Sequence, residues 1–563
     1  MLTRGPAAGE REDVNARQGV RRWLPAAAWV LGGLAVFGLL LRISLTGRID
    51  SDGANNALQA WDLLHGHLLL HGWDIGDANF YFFELPLNAL TAAVFGLGNF
   101  AMHVASALTY LLVALCAVAL AVTDSRGPAR VVRAAVVVTV MAAPLLALQS
   151  VKTLLEEPDH TGTSVFILVA FLLVDQAARP RAGLPRDSAA GGDGGRGAPH
   201  SGESSPPEPA GLRLRTAISA PLLCVILCAG EFSDLTVRYV AVPAIVLVCG
   251  CRALAARRLR SPDAAFVAAA IVSVPLVAAL SAVFTHLGGF IADAPRAQLA
   301  PTRLWPHQAI VTWGNLRLLY GGVSAPGTRL GGLGTAFGMV CLLVSLAGLA
   351  WVAWRWRRAS RAELMLGIAI VVNFGLNLVS TLVHVDNPHE IAAVLPCGAV
   401  LAARLVPGRI ANSMAAFAAL TVAGLLAVIP LACAAVAPLD QPKTAPLTAW
   451  LRAHGLTYGL AGYWDSSAAT LLSGDKVQIR TFNLSKPVSR SHYEVNNAWY
   501  DPAQHDATFI VADPGPGRNY PVAPIERAFG KPAGTYPVAN FIVLVYHENL
   551  LPVLLRGGVN PGR

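Results

Sequence analysis

Residues 50–67 read Asp50-Ser-Asp52-Gly-Ala-Asn-Asn-Ala-Leu-Gln-Ala-Trp61-Asp62-Leu-Leu-His65-Gly66-His67, and they follow an apolar run from Trp23 to Leu41. That run is long enough to cross a membrane, which takes about 20 apolar residues. Ionisable groups are costly inside a bilayer, so those at the end of a spanning helix are usually solvated or functional. We therefore expect a membrane protein whose chemistry lies in a loop at the membrane boundary.

The composition agrees with a polytopic membrane protein. Hydrophobic residues make up 54% and charged residues 14% of the 563 residues, whereas soluble domains have about 45–50% and about 25%. The net charge of +9 fits basic cytoplasmic loops, and no nucleic-acid partner is expected. The eight cysteines lie in or beside apolar segments without zinc-type spacing, so no disulfide framework is predicted.

Apolar segments of suitable length predict about eleven transmembrane helices. They cover residues 23–41, 100–123, 132–150, 163–178, 214–229, 236–251, 263–285, 333–355, 362–383, 391–404 and 413–437. The segment 84–96 is too short to span and predicts an interfacial or re-entrant helix. The short loops 124–130, 257–260, 355–361 and 404–409 are basic, which places them and the N-terminus in the cytoplasm of a plasma-membrane protein.

The predicted fold is an all-α polytopic bundle followed by a small extracytoplasmic α/β domain, since strand-like and helical patterns alternate after about residue 440. Five regions follow from the pattern. They are a cytoplasmic tail (1–22), an N-terminal membrane module with acidic outer loops (23–178), a disordered cytoplasmic linker (179–213), a C-terminal membrane module (214–437) and the extracytoplasmic domain (438–563).

The first outer loop, about 46–98, contains an amphipathic pattern that predicts a helix lying on the membrane with Asp52 as its N-cap. The simpler alternative is that Asp52 only caps this helix and that the loop histidines are wetted surface groups. The second outer loop crowds Lys152, Glu156, Glu157, Asp159 and His160 between two spans. A carboxylate there can ligand a divalent cation, or the loop is merely solvated.

Two further outer segments carry ionisable groups. Asp234 and Arg238 are four residues apart, and we expect them to pair on one helix face. His384, Asp386, His389 and Glu390 have residue types that bind metals, but their irregular spacing favours a solvated loop.

The order of these parts resembles the GT-C membrane glycosyltransferases, the superfamily of the protein O-mannosyltransferases and the lipid A aminoarabinose transferases. The residues that carry the resemblance are Asp50 and Asp52, Leu63-Leu64-His65-Gly66, Phe83-Glu84-Leu85-Pro86-Leu87, Phe95-Gly96 with Asn99-Phe100, Glu157-Pro158 and His389 to Pro396. The chain departs from the family pattern in two places. Asp50-Ser-Asp52 replaces an adjacent Asp-Glu, and Leu85 stands where the family has a lysine.

The resemblance implies transfer of a sugar from a polyprenyl-phosphate carrier to an extracytoplasmic glycan, lipid or protein. Asp50 or Asp52 is then the candidate base and Glu157 the second carboxylate, with Glu157 and Asp159 as candidate ligands of a divalent cation. Candidate substrate-binding residues are Glu84, Lys152, Asp159, His160, Arg238, His389 and Glu390. The two acidic loops should converge, because a base and a charge stabiliser must flank one reacting centre.

Two other functions stay open at this point. A transporter or lipid-carrier flippase should show inverted repeats and ionisable groups near the bilayer midplane, and neither is apparent. A non-catalytic cell-envelope scaffold could carry the same imperfect motifs.

Overall fold

The structure is a computed structural model. It describes residues 30–49, 51–76, 78–156, 160–177, 210–257, 261–292, 298–323, 331–406, 413, 424, 431–432, 436–439, 441–515 and 520–556. Three of the predicted site residues lie outside the described residues, namely Asp50, Glu157 and Asp159. The predicted linker lies outside them as well, except that residues 210–213 already form the first turn of a helix.

Seven described helices are long and apolar enough to cross a membrane. These helices are α4 (Asn99–Ala121), α5 (Pro128–Ala142), α8 (Ala210–Ser233), α9 (Thr236–Ala255), α10 (Pro262–His286), α12 (Gly331–Trp354) and α13 (Arg361–Val379). The apolar segment of α5 continues through a 3₁₀ turn (Ala143–Leu146). All seven were predicted as spans from hydropathy. The predicted all-α membrane bundle is thereby confirmed.

The predicted spans at 23–41, 163–178 and 391–404 are shorter in the described part of the chain. They are α1 (Val30–Ser44), α7 (Thr163–Ala177) and α14 (Val394–Arg404). Every residue of α14 is buried, because this helix packs among α4, α5, α12 and α13 at the centre of the bundle. The predicted span 413–437 lies almost wholly outside the described residues.

In the described part of the membrane region, the helix α11 (Trp305–Leu319) was not predicted. Its buried positions include Gln308, Thr312 and Asn315, which hydrogen-bond to the loop 380–387 and to α13. Since these polar residues lie among the apolar ones along the helix, hydropathy did not reveal it.

The ends of α4 and α14 and the starts of α10 and α13 meet at one end of the bundle. We call it the basic end, because Arg361 and Arg404 lie there. Arg404, at the end of α14, donates hydrogen bonds to the carbonyl of Leu120 (2.7 Å) and to the hydroxyl of Ser360 (3.0 Å). Arg361 donates two hydrogen bonds of 2.8 Å to Asp263. The ends of α4 and α14 and the starts of α10 and α13 therefore lie together, as the predicted topology requires.

The first outer loop forms α2 (Ser51–Leu64), β1 (Trp73–Ile75) and α3 (Glu84–Phe95) at the opposite end. Two sequence-based expectations for α2 are wrong. The helix begins at Ser51, so Asp52 lies within its first turn and is not its N-cap. The helix also does not lie free on a membrane surface, because every residue from Gly53 to Ala60 is buried against other elements.

The C-terminal region forms the predicted α/β domain. Its helices are Ala445–Ala453, Tyr463–Leu472, Val522–Phe529 and Leu551–Arg556, and its strands are β3 (Tyr458–Ala461), β4 (Gln478–Asn483), β5 (Ser489–Arg490), β6 (Val495–Asn496), β7 (Phe509–Ala512), β8 (Gly534–Val538) and β9 (Phe541–Val545). Six strands form one sheet in the order β5-β4-β3-β7-β9-β8. β3 pairs in parallel with β4 and β7, and β9 pairs antiparallel with β7 and β8.

The domain is joined to the first outer loop through a second sheet. β1 pairs antiparallel with β6 and parallel with β2 (Ile291–Ala292). Asp74 in β1 also accepts hydrogen bonds from His492 (3.3 Å) and Asn497 (3.2 Å). The segment that follows β5 is therefore anchored over the membrane bundle, and the helix Tyr463–Leu472 packs against α2.

Candidate active site

Asp52 lies where α2 meets the C-terminal domain. The hydroxyl of Tyr463 donates a hydrogen bond to Asp52 Oδ1 and also contacts Glu494 Oε2 at 2.6 Å. The helix N-terminus favours negative charge in its first turn, which is where Asp52 stands. The predicted base is thus held by an element more than 400 residues away in sequence, since the separation is 411.

Asn55 completes this group from the next turn of α2. Its side-chain amide donates to Glu494 Oε2 at 2.9 Å, and the residue is fully buried. Burial, followed by the charges of Glu494 and Asp52, raises the pKa of Tyr463 well above its usual value. Tyr463 is therefore a neutral donor between two carboxyl groups.

A second polar group surrounds His160, directly before α7. Its Nδ1 donates to Asp234 Oδ2 at 2.6 Å, and the hydroxyl of Thr163 donates to the same oxygen. The N–H of Thr236 donates to Asp234 Oδ1 at 2.8 Å. Burial alone would raise the pKa of Asp234, but the charge and hydrogen bond of His160, aided by Thr163 and Thr236, lower it to about 2.

Asp234 therefore does not pair with Arg238, as the sequence suggested. The Nε of Arg238 instead donates to Glu231 at 2.9 Å, and Glu231 also accepts a hydrogen bond from Ser273 in α10 (2.5 Å). The turn between α8 and α9 points Asp234 towards His160. The expected Asp234–Arg238 pair is therefore replaced by the contacts His160–Asp234 and Arg238–Glu231. Arg238 thus holds α9 to α8 through Glu231. Its role in binding substrate stays a prediction.

His389 and Glu390 join His160 from the loop before α14. The rings of His160 and His389 stack with centroids 5.4 Å apart, and one ligand atom from each of the three side chains lies within 4.8 Å of the others. Burial, followed by the charge of His160, lowers the pKa of His389 to about 3. His389 is therefore neutral at ordinary pH, the form in which an imidazole binds a metal ion, and metal binding by this loop stays a prediction beside the solvated-loop alternative.

The two outer loops meet at Glu84, whereas the predicted convergence of Asp50 or Asp52 with the carboxylates of the second outer loop stays a prediction. Glu84 begins α3 and is buried. A Cβ on Gly162, in the second outer loop, would lie 2.3 Å from Glu84 Oε1. Phe80 adds an edge contact of 5.8 Å to the His160 ring. The first outer loop, the second outer loop and the loop before α14 therefore meet at one place.

Lys152 begins a π-helical turn, Lys152–Glu156, that leads into the second outer loop. Its charge is among those that lower the pKa of His389, so it acts on the same cluster. Such π-helical turns occur frequently at functional sites. Lys152 thus stays a candidate for binding a phosphate.

Sequence reasoning missed both Glu494 and Tyr463 as site residues. No local signal marks Glu494. The backbone φ angle of Glu494 is 51°, in the left-handed region that non-glycine residues rarely adopt. This unusual angle is visible only in the structure. Asp234 was considered, but with the wrong partner.

No protein-family model matches the chain, and no curated protein matches it either. The solved structures that resemble it include ArnT from Cupriavidus metallidurans in the apo state, with 13% identity, coverage of 94% of this chain and 99% of that one, and a TM-score of 0.54. The same protein bound to undecaprenyl phosphate has 14% identity, coverage of 92% and 98%, and a TM-score of 0.50. The Archaeoglobus fulgidus oligosaccharyltransferase in the apo form has 13% identity, coverage of 89% and 70%, and a TM-score of 0.45.

The two ArnT structures are matched over nearly their whole length, membrane bundle and C-terminal domain together. At this level of identity the likeness concerns the fold. The fold that the resemblance implied is therefore confirmed, and this chain has the same fold as the two ArnT structures.

Proposed function

We propose that this protein is a membrane glycosyltransferase that transfers a sugar from a polyprenyl-phosphate carrier to an extracytoplasmic acceptor. The observation that carries the proposal is the position of Asp52, a carboxylate in the first turn of α2 where the bundle meets the C-terminal domain of a GT-C fold. The similarity to an ArnT structure with bound undecaprenyl phosphate supports the class of donor.

The reaction needs a base at the acceptor and positive charge at the leaving group. Asp52 takes the proton of the acceptor hydroxyl while that oxygen forms a bond to the anomeric carbon. The bond between that carbon and the donor phosphate oxygen breaks, and the polyprenyl phosphate leaves with the electron pair. Lys152 offsets the negative charge that develops on the phosphate.

The second element of the proposal is a metal site formed by His160, His389 and Glu390. Two imidazoles and one carboxylate form a donor set suited to zinc and related divalent cations. Asp234 holds Nδ1 of His160 at 2.6 Å, so a metal would bind this ring through Nε2, an arrangement common at such sites. When bound, the cation would supply Lewis-acid stabilisation of the phosphate oxygens.

The third element is orientation. The basic end carries Arg361 and Arg404, whereas α2, His160, His389 and the C-terminal domain lie at the opposite end. Basic loops remain in the cytoplasm. This supports an extracytoplasmic site and C-terminal domain. The roles predicted for Asp50, Glu157 and Asp159 remain predictions.

Lipid analysis of a strain lacking the gene tests the function. A polyprenyl-phosphate-linked sugar should accumulate, and wild-type protein but not Asp52→Asn should remove it. No change in these lipids on deletion would contradict the proposal.

A flippase would also alter the carrier pool, so a second measurement is needed. Purified protein in liposomes is given the lipid extract of the deletion strain and an envelope fraction as the acceptor source. Mass spectrometry then follows the release of undecaprenyl phosphate. A transferase releases it, whereas a flippase moves the intact sugar-linked lipid and a scaffold leaves it unchanged.

A further inference from the structure

One tyrosine hydroxyl lies between two carboxyl groups at the candidate base. Tyr463 contacts Asp52 Oδ1 and Glu494 Oε2, the latter at 2.6 Å. A phenolic hydroxyl has a single proton and can donate it to only one of these oxygens at a time. The second oxygen–oxygen contact therefore needs a second proton, which one of the two carboxyl groups carries.

The electrostatics of the group agree with this proton count. Two carboxyl groups that contact the same hydroxyl repel each other when both are charged, and this repulsion favours one retained proton between them. The charged or titratable groups of the described residues that act most strongly on Tyr463 are Glu494, Asp52 and Tyr493, and all three raise its pKa. Tyr463 therefore keeps its own proton and cannot act as a compensating anion.

The surroundings decide which carboxyl group holds the extra proton. Glu494 is buried, with 6% of its surface exposed, and burial penalises the charged form. Asp52 is more exposed and lies in the first turn of α2, where the helix dipole favours its charged form. Asn55 donates to Glu494 at 2.9 Å, but a neutral donor opposes these effects only weakly.

We propose that Asp52 and Glu494 form a carboxyl pair that shares one proton through Tyr463, with the proton on Glu494 and the negative charge on Asp52. Glu494 donates to the Tyr463 oxygen, and Tyr463 donates to Asp52. The pair thus carries one negative charge, and that charge lies on the residue nearer the membrane bundle.

The consequence for catalysis rests on the proposed function, whereas the shared proton does not. As the base, Asp52 would accept the proton of the acceptor hydroxyl, after which the pair is neutral until that proton leaves to solvent. Tyr463 and Glu494 are positioning residues in this scheme, because they fix the protonation state and orientation of Asp52. The C-terminal domain would then be a part of the active site, anchored there by the pairing of β6 with β1.

Infrared spectroscopy of the purified full-length protein tests the shared proton directly. At neutral pH, the wild-type spectrum should contain the C=O stretch of a protonated carboxyl group, sensitive to deuterium exchange, that Glu494→Gln lacks. The exposed Glu548 provides the matched control, and Glu548→Gln should retain the band. A wild-type spectrum identical in this region to that of Glu494→Gln would overturn the proposal.

A second variant tests the bridge without altering either carboxyl group. Tyr463→Phe removes the donor that stabilises charged Asp52, so the pKa of Asp52 rises. The acid limb of the pH–rate profile for undecaprenyl phosphate release should move up by roughly 1–2 pH units, the effect of one lost hydrogen bond to a charged group. An unchanged acid limb would overturn the bridge. If wild-type protein releases no undecaprenyl phosphate at any pH, the proposed function fails, while the infrared result still decides the shared proton.

Discussion

Nδ1 of His160 donates a hydrogen bond to Oδ2 of Asp234 at 2.6 Å, across 74 residues of sequence. Both side chains are nearly buried. This contact fixes the His160 ring, which stacks on His389 and has a ligand atom within 4.8 Å of those of His389 and Glu390, its partners in the candidate metal site.

The first prediction concerns that orientation. Asp234→Asn keeps the size of the side chain but removes its charge and weakens its acceptance from His160 and Thr163. Changes at such supporting carboxylates typically lower metal affinity roughly 10–100-fold. Titration of the metal-free protein with Zn²⁺ should give a correspondingly weaker affinity.

Asp124 provides the control for this measurement, because it pairs with Arg133 at the basic end. Asp124→Asn should bind Zn²⁺ as tightly as wild type. Equal affinity of Asp234→Asn and wild type would rule out a role for Asp234 in holding a metal ligand.

The second prediction separates a base from a structural carboxylate. Asp52→Asn preserves the shape of the first turn of α2 and loses a charge–dipole interaction worth about 0.3–1 kcal/mol, so the protein should still fold. Release of undecaprenyl phosphate in liposomes should fall roughly 10²–10⁴-fold, the usual contribution of general base catalysis.

Asp62 lies in the same helix and accepts a hydrogen bond from Trp73 at 2.8 Å, which an asparagine oxygen can also accept. Asp62→Asn should therefore retain transfer. Full activity of well-folded Asp52→Asn would exclude Asp52 as the base and favour the scaffold or transporter.

The third prediction tests the convergence of the two outer loops. The Cβ of Gly162→Ala would lie 2.3 Å from Glu84 Oε1 and 2.5 Å from the ring of Phe83, so the loops must separate or Glu84 must move. We expect a loss of about 1–3 kcal/mol in the free energy of unfolding, as for other overpacked sites, and a lower melting temperature.

In α11, a Cβ on Gly314 would meet no heavy atom within 4 Å. Gly314→Ala should therefore leave the melting temperature unchanged or raise it, since alanine favours helix. A Gly162→Ala protein as stable as Gly314→Ala would show that the loops do not meet as described.

The fourth prediction concerns orientation in the membrane. Single cysteines are introduced at exposed Lys531 in the C-terminal domain and at exposed Arg126 at the basic end, after replacement of the eight native cysteines. A membrane-impermeant maleimide should label Lys531→Cys in intact cells and Arg126→Cys only after permeabilisation. The reverse pattern would place the site in the cytoplasm.

Hydropathy and charge predicted most of the membrane bundle, because spanning helices need long apolar segments whatever their neighbours are. The same reasoning missed α11, whose buried face carries Gln308, Thr312 and Asn315. It also misjudged α2, which looked like a surface helix by periodicity but is buried by α3 and by the C-terminal domain.

By itself, the sequence determined the number and order of most apolar segments, the basic loops and the acidic loops between them, since each is a sum over neighbouring residues. Those features sufficed for the GT-C resemblance and for Asp52 as a candidate base. The tertiary structure alone decided the partners. Asn55 meets Glu494 across 439 residues, and His160 meets Asp234 across 74 residues. Such contacts depend on how separate helices and domains pack together, and spacing within a single segment does not record that packing.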